Sequence, residues 1–140
     1  MVELILLGGG GHCESVIEII QGLDQFVVKG ILDPTYEKNV PKEVLGFPIL
    51  GNDDVIDEYI TRGCQFVITV GQIHTSRARK KLYDLVLSKG GKLPSIVANT
   101  AYVSKTSKIA DGTVVLNNVF VNANSIIGVC CILNTGCIIE

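Results

Sequence analysis

Every sixth residue from Val97 to Ile139 is a branched aliphatic: Val97, Val103, Ile109, Val115, Val121, Ile127, Leu133 and Ile139. Two positions before each stand Ser95, Ala101, Ser107, Thr113, Val119, Ser125, Cys131 and Cys137, nearly all of them small. A six-residue step with one buried aliphatic and one small corner residue builds a parallel β-helix of triangular section. Each face is one hexapeptide, and three faces make a coil of about eighteen residues. The repeat therefore predicts a little over two coils of left-handed parallel β-helix. Glu140, the last residue, falls in the middle of the pattern, which leaves the growing end uncapped.

A chain of 140 residues suits one ordinary domain or two small ones. Its mean hydropathy is positive, but the longest apolar run near the start, Leu4 to Leu7, is far short of a membrane span. The N-terminus shows no basic n-region, apolar h-region or small-residue cleavage site, so a cytoplasmic protein is the default expectation. The scarcity of charge after residue 94 fits a solenoid that buries its interior and docks its outer face on a partner. A formal net charge of −2 gives no field for nucleic acid or acidic membranes. The five cysteines, Cys13, Cys64, Cys130, Cys131 and Cys137, are odd in number and include an adjacent pair, a poor disulfide framework. No CxxC pair or histidine cluster supports a zinc site, so they read as small buried thiols in a reducing compartment.

The first ninety or so residues alternate between strand and helix. Val2–Leu7 reads as a buried strand, 12–22 as a helix with Val16, Ile19, Ile20 and Leu23 inward, and Phe26–Leu32 as a second strand. Residues 35–46 are polar and contain Pro41, which predicts a loop, and 47–50 a short strand. Asn52 is the expected N-cap of a helix bearing Val55, Ile56, Tyr59 and Ile60. Residues 66–70 form the next strand, and 76–88 a helix with Leu82, Leu85 and Val86 inward, stopped by Gly90-Gly91. Such alternation implies βαβ units and a parallel sheet. The expected division is a Rossmann-like domain over 1–92 and an incomplete hexapeptide-repeat domain over 93–140.

The turn Gly8-Gly9-Gly10-Gly11-His12 lies between a strand and a helix. Glycine lets backbone N–H groups approach a phosphate, and the helix N-terminus adds a favourable dipole. Asp33, before Pro34 at the end of the second strand, stands where a Rossmann half-domain sets an acid against a ribose or similar diol. The dinucleotide fingerprint G-x-G-x-x-G is matched only in part, because Cys13 holds its third position. A ligand-free tight turn is the competing account; four glycines in a row make it costly in backbone entropy. His12, at the first turn of the helix, is expected to be a neutral imidazole beside the ligand. The loop after the last strand of this half, Gly71-Gln72-Ile73, converges on the same crevice, while His74 is expected in solvent. The basic run Arg77, Arg79, Lys80 and Lys81 either faces a phosphate or, the preferred reading, forms a solvated helix face. Asn134 reads as a solenoid corner that tolerates left-handed geometry rather than a pocket residue.

The pattern as a whole resembles the NeuD/PglD family of bacterial sugar acetyltransferases. The stretches that carry the resemblance are Leu6-Leu7-Gly8-Gly9-Gly10-Gly11-His12, Gly30-Ile31-Leu32-Asp33, Phe66-Val67-Ile68-Thr69-Val70-Gly71, Arg79-Lys80-Lys81-Leu82-Tyr83 and Leu133-Asn134-Thr135-Gly136-Cys137-Ile138-Ile139-Glu140. The resemblance implies transfer of an acetyl group from acetyl-CoA to an amine or hydroxyl of a UDP-linked 4-amino sugar or a sialic-acid-type sugar. It implies that the Rossmann-like domain holds the acceptor through Gly8, Gly9, Gly10, Gly11, His12, Asp33, Pro34, Gly71, Gln72 and Ile73. It further implies a homotrimer with acetyl-CoA between adjacent β-helices and a histidine base immediately after the acid matched by Glu140. That base would take the acceptor's proton as it attacks the thioester. Glu140 would orient the imidazole. No residue follows Glu140. The chain as given therefore reads as an inactive fragment or short form of an enzyme.

Two other functions stay open on the sequence. Gly8, Gly10 and Asp33 suit an NAD-dependent oxidoreductase, against which stand Cys13 and the hexapeptides. A non-catalytic, sugar-nucleotide-binding module that the coils merely oligomerise is the other.

Overall fold

The structure, a computed structural model, describes residues 1–72 and 74–140. The apolar runs of the first half become one sheet. Its parallel strands are β1 (Val2–Leu7), β2 (Phe26–Leu32), β4 (Phe47–Gly51) and β5 (Gln65–Ile68), with β3 (Glu43–Val44) antiparallel at one edge. The order is β3-β4-β2-β1-β5, so β1 is an interior strand between β2 and β5, and the chain reverses direction across the sheet between β1 and β5. That position explains the unbroken apolar run Leu4–Leu7 in β1. Leu4 and Leu6 pack with Val16, Ile17 and Ile20 of α1 (Gly11–Gln21). Ile5 and Leu7 pack on the other face with Ile56 of α2 (Ile56–Thr61) and Leu82 and Val86 of α3 (Arg77–Ser88). A strand covered on both faces has no polar side to show.

Several boundaries differ from the sequence reading. The segment expected to be a loop over 35–46 contains β3, joined to β4 by Leu45 and Gly46 at φ 46° and 83°. Two positive φ angles at a two-residue turn make a tight hairpin of the I′ kind. Leu-Gly lacks the Asn-Gly or Asp-Gly signature, which is why the hairpin escapes notice. Asn52 caps as expected, accepting from the Asp54 N–H at 2.9 Å, but it starts a 3₁₀ turn at 53–55 before α2 begins. The last strand of the sheet ends at Ile68 rather than 70. The N–H groups of Thr69 and Val70 both turn onto the Leu7 carbonyl.

The hexapeptides form three parallel sheets. One stacks β7 (Tyr102–Val103), β10 (Phe120–Val121) and β13 (Ile138–Ile139); the next stacks β8 (Lys108–Ile109) and β11 (Ile126–Ile127); the third stacks β6 (Ile96–Val97), β9 (Val114–Val115) and β12 (Ile132–Leu133). This is the left-handed β-helix that the repeat predicts. Val115, Val121, Ile127 and Leu133 are buried in its interior. From Gly112 onward the chain turns each corner through a left-handed residue, again every six: Gly112, Asn118, Asn124, Cys130 and Gly136. Asn134 is not one of them, which corrects its reading as a left-handed corner.

The outer faces have different fates. Ile96 and Val114 point away from the solenoid yet are fully buried, because that face docks on α1 of the same chain. Each such side chain contributes about 2 kcal/mol. On the first face Tyr102 and Phe120 stack with ring centroids 5.1 Å apart, and with Ile138 they remain exposed. The outer face expected to meet a partner is thus, for one side of the triangle, covered from within.

Candidate functional site

A cleft of about 1190 Å³ lies between the carboxyl ends of β1, β2 and β5 and one corner of the β-helix. Open parallel sheets offer ligands this location wherever the chain reverses direction across the sheet. The site residues read from the sequence gather there: Gly8, Gly9, Gly10, Gly11, His12, Asp33, Pro34, Gly71 and Gln72 all line it. Ile73 lies outside the described residues. Glu140 is not in the lining; it is exposed, and its carboxylate accepts from the Asn122 amide at 3.3 Å.

The glycine turn is fixed at its start and open at its end. Gly8 sits at φ 119°, and a Cβ there would come within 2.6 Å of Val70 Cγ2 and 2.8 Å of Val70 N. Its carbonyl accepts from the buried Thr69 hydroxyl at 2.6 Å. The Gly9 N–H donates to Asp33 Oδ1 at 2.8 Å. At Gly10 and Gly11 a Cβ would meet nothing within 4 Å, so packing does not require glycine there. The helix they open has no side-chain cap. Its first turn carries N–H groups without intrahelical partners and a partial positive charge, the features that suit an anionic group.

Asp33 ties two loops together. Oδ2 accepts from the N–H and hydroxyl of Thr35 while Oδ1 holds Gly9. Burial works against its ionised form, but the bonds from Thr35 and Gly9 and the charge of Lys42 outweigh it, leaving the pKa below the usual carboxylate value. A carboxylate has about four acceptor directions, so one remains for a ligand hydroxyl.

His12 is half-buried, and among the described residues its Nε2 is buried with no hydrogen-bond partner. Burial, then the charge of Arg79, lowers its pKa, which keeps the imidazole neutral at pH 7. The next residue, Cys13, is fully buried, and burial raises its thiol to about 11, so it is an inert packing residue. All five thiols are free. Among the described residues no cluster of three His, Cys, Asp or Glu is placed to hold a metal, and no helix is long and apolar enough to cross a membrane.

The opposite wall is the coil segment Val129–Asn134; Asn134 lines the cleft, the reading set aside for it on the sequence, and Val129–Leu133 escape sequence reasoning. Its corner residue Cys130 is left-handed at φ 54°. Arg79 was missed too. The solvated face expected of the basic run holds for Arg77, Lys80 and Lys81, which are exposed, but Arg79 is 2% exposed. Its guanidinium donates to the carbonyls of Ile68, Val70 and Cys130. The signal was present: Arg79, Leu82 and Val86 fall at i, i+3 and i+7, the spacing of one buried helix face.

Residues 3–86 match the family model described as the PglD N-terminal domain. Among solved structures, a histidine-to-asparagine variant of perosamine N-acetyltransferase from Caulobacter crescentus, in complex with CoA and GDP-perosamine, superposes with a TM-score of 0.89 at 28% identity over 99% of this chain and 63% of that one. The acetyltransferase domain of PglB from Neisseria gonorrhoeae gives a TM-score of 0.87 at 26% identity, covering 99% of this chain and 65% of that one. The same domain has been solved with acetyl coenzyme A. The chain thus spans a little under two thirds of the length of these structures. No curated protein sequence matches it.

Proposed function

Because the chain belongs to the PglD N-terminal domain family, we propose that it carries the acceptor site of an acetyl-CoA-dependent acetyltransferase acting on a nucleotide-linked amino sugar. The supporting observation is the cleft itself. One wall offers uncapped helix N–H groups and a neutral His12 whose Nε2 has no partner among the described residues; the other is the β-helix, where the family resemblance implies acetyl-CoA. A diphosphate fits the first turn of α1. A sugar or ribose hydroxyl fits the free acceptor direction of Asp33. His12 Nε2 meets a polar group of the acceptor. Gly71, Gln72 and Pro34 close the cleft around it.

In the transfer, the acceptor nitrogen attacks the thioester carbonyl and a tetrahedral intermediate collapses to release the CoA thiolate. The nitrogen gives up a proton to a base. We assign residues 1–92 to the acceptor and 93–140 to the first coils of the acetyl-CoA-binding solenoid. Glu140 is assigned a supporting place beside the base. A homotrimer in the cytoplasm completes the proposal.

Calorimetric titration of the 140-residue chain with GDP-perosamine, a UDP-linked 4-amino sugar, free sialic acid and NADH tests this. Binding of a sugar nucleotide, weakened about tenfold by His12→Ala, is the expected result, equivalent to about 1.4 kcal/mol. Binding of NADH alone overturns the proposal in favour of an oxidoreductase, and binding of sialic acid alone moves the acceptor to a free sugar and the reaction to O-acetylation.

A further inference from the structure

Three polar or charged side chains among the described residues are fully buried: Thr69, Arg79 and Thr113. All three hold backbone of the cleft walls. Thr69 donates to the Gly8 carbonyl at 2.6 Å. Thr113, inside the solenoid, donates to the Gly128 carbonyl at 2.7 Å and accepts from the Cys131 N–H at 3.0 Å. Arg79 reaches both walls with one planar group. Nη1 donates to Val70 at 2.8 Å and Ile68 at 3.2 Å on the sheet side, and Nη2 donates to Cys130 at 3.0 Å on the coil side. Among the described residues no carboxylate forms a salt bridge with it.

A buried guanidinium without a counter-ion is an expensive way to fill space, since an apolar side chain of similar length avoids the desolvation. What an apolar chain lacks is the rigid fork of donors that fixes two backbone segments at a set separation. A lysine lacks it as well. The two segments here are the strand end that precedes Gly71 and the corner that begins the coil wall. We propose that Arg79 is a positioning residue for this site: through the Val70 and Cys130 carbonyls it sets the width of the cleft, and its uncompensated charge favours an anionic ligand that it does not touch. This rests on the sugar-nucleotide reading of the cleft.

Arg79 is absent from the lining of the main cleft and lines a smaller one of about 260 Å³ behind Cys130. Its action on a ligand is therefore indirect. His12 reports its field, because Arg79 depresses the imidazole's basicity. The other titratable groups lining the same cleft are Asp33, Cys130 and Cys131, with Cys13 and Glu14 beside His12 on α1. Of these, Cys130 also feels Arg79, whose charge works against the rise that burial gives its thiol pKa.

The test uses GDP as the probe and the 140-residue chain. In the wild type, the Arg79 Nε–H signal in a nitrogen-15 NMR spectrum is expected to be slow to exchange and to move on saturation with GDP. Arg79→Lys keeps the charge and loses the fork; it is expected to bind GDP about tenfold more weakly with an unchanged His12 titration midpoint. Arg79→Met loses both, and is expected to bind more weakly still, with the His12 midpoint raised toward its ordinary value. Folded variants that bind GDP like the wild type overturn the proposal. So does a wild-type Arg79 signal that ignores bound GDP, a measurement that needs no variant to fold. Failure of the wild type to bind GDP overturns the sugar-nucleotide reading instead.

Discussion

The α/β wall of the cleft is made of residues that break pattern, and the coil wall of residues that keep it. Gly8 to Gly11 interrupt the βα alternation with a run that no secondary structure favours, and Asp33 sits at a strand end where an acid has no packing role. Val129 to Asn134 belong to a regular hexapeptide corner, with Leu133 on its expected interior position and Cys130 in the left-handed slot shared with Gly112, Asn118, Asn124 and Gly136. Both walls are nevertheless fixed by the same means, a buried polar side chain bonded to backbone: Thr69 on one side, Thr113 on the other and Arg79 between them. The difference teaches that a site can be half composed of residues whose identities serve the scaffold. Their contribution is where the backbone goes.

Substitutions break this comparison in graded ways. Gly8→Ala has the largest expected effect. It sets a Cβ against Val70 at a φ of 119°, which combines strain with overpacking and costs about 3 kcal/mol in urea unfolding. Thr113→Val removes the clamp of the coil wall. It leaves the Gly128 carbonyl and the Cys131 N–H without that partner, a loss of about 2 kcal/mol by the same measurement.

Asp33→Asn comes next, and its effect depends on pH. The Asp33 pKa lies below its unfolded value, about 3.9. Its ionisation therefore stabilises the fold above that value, and the contribution fades as pH falls through the folded pKa. Unfolding curves are expected to separate wild type from variant by about 1 kcal/mol or less at pH 6, after allowing for solvent screening, and to converge below pH 4. Gly11→Ala has the smallest effect and the opposite sign. With open space around its Cβ, alanine at this helical position is expected to stabilise by about 0.5 kcal/mol while weakening sugar-nucleotide binding. A variant that gains stability and loses affinity separates the open glycines from the packed one.

The sequence made half of this arrangement legible. Glycine chemistry and strand ends located the α/β wall, since each depends on residues adjacent in the chain. The period of six predicted the solenoid and which side chains enter it. The coil wall stayed hidden because it depends on which face of the solenoid docks on α1, a tertiary choice that makes Ile96 and Val114 buried while Tyr102 and Ile138 stay exposed. Arg79 stayed hidden because a cation in a basic run is ordinarily solvated, and the spacing that placed it with Leu82 and Val86 was outweighed by its charge. The hairpin at Leu45 and Gly46 was lost for a local reason, a turn made without the residues that favour it.

The measurement that bears most directly on a two-walled site is backbone amide NMR of the 140-residue chain titrated with GDP-perosamine. The account predicts saturable shifts at Gly10, Gly11 and His12 and, in the same titration with the same midpoint, at Cys130 through Asn134. Shifts at the glycine turn with none in the coil would contradict it, and would reduce the cleft to a one-sided groove on the sheet.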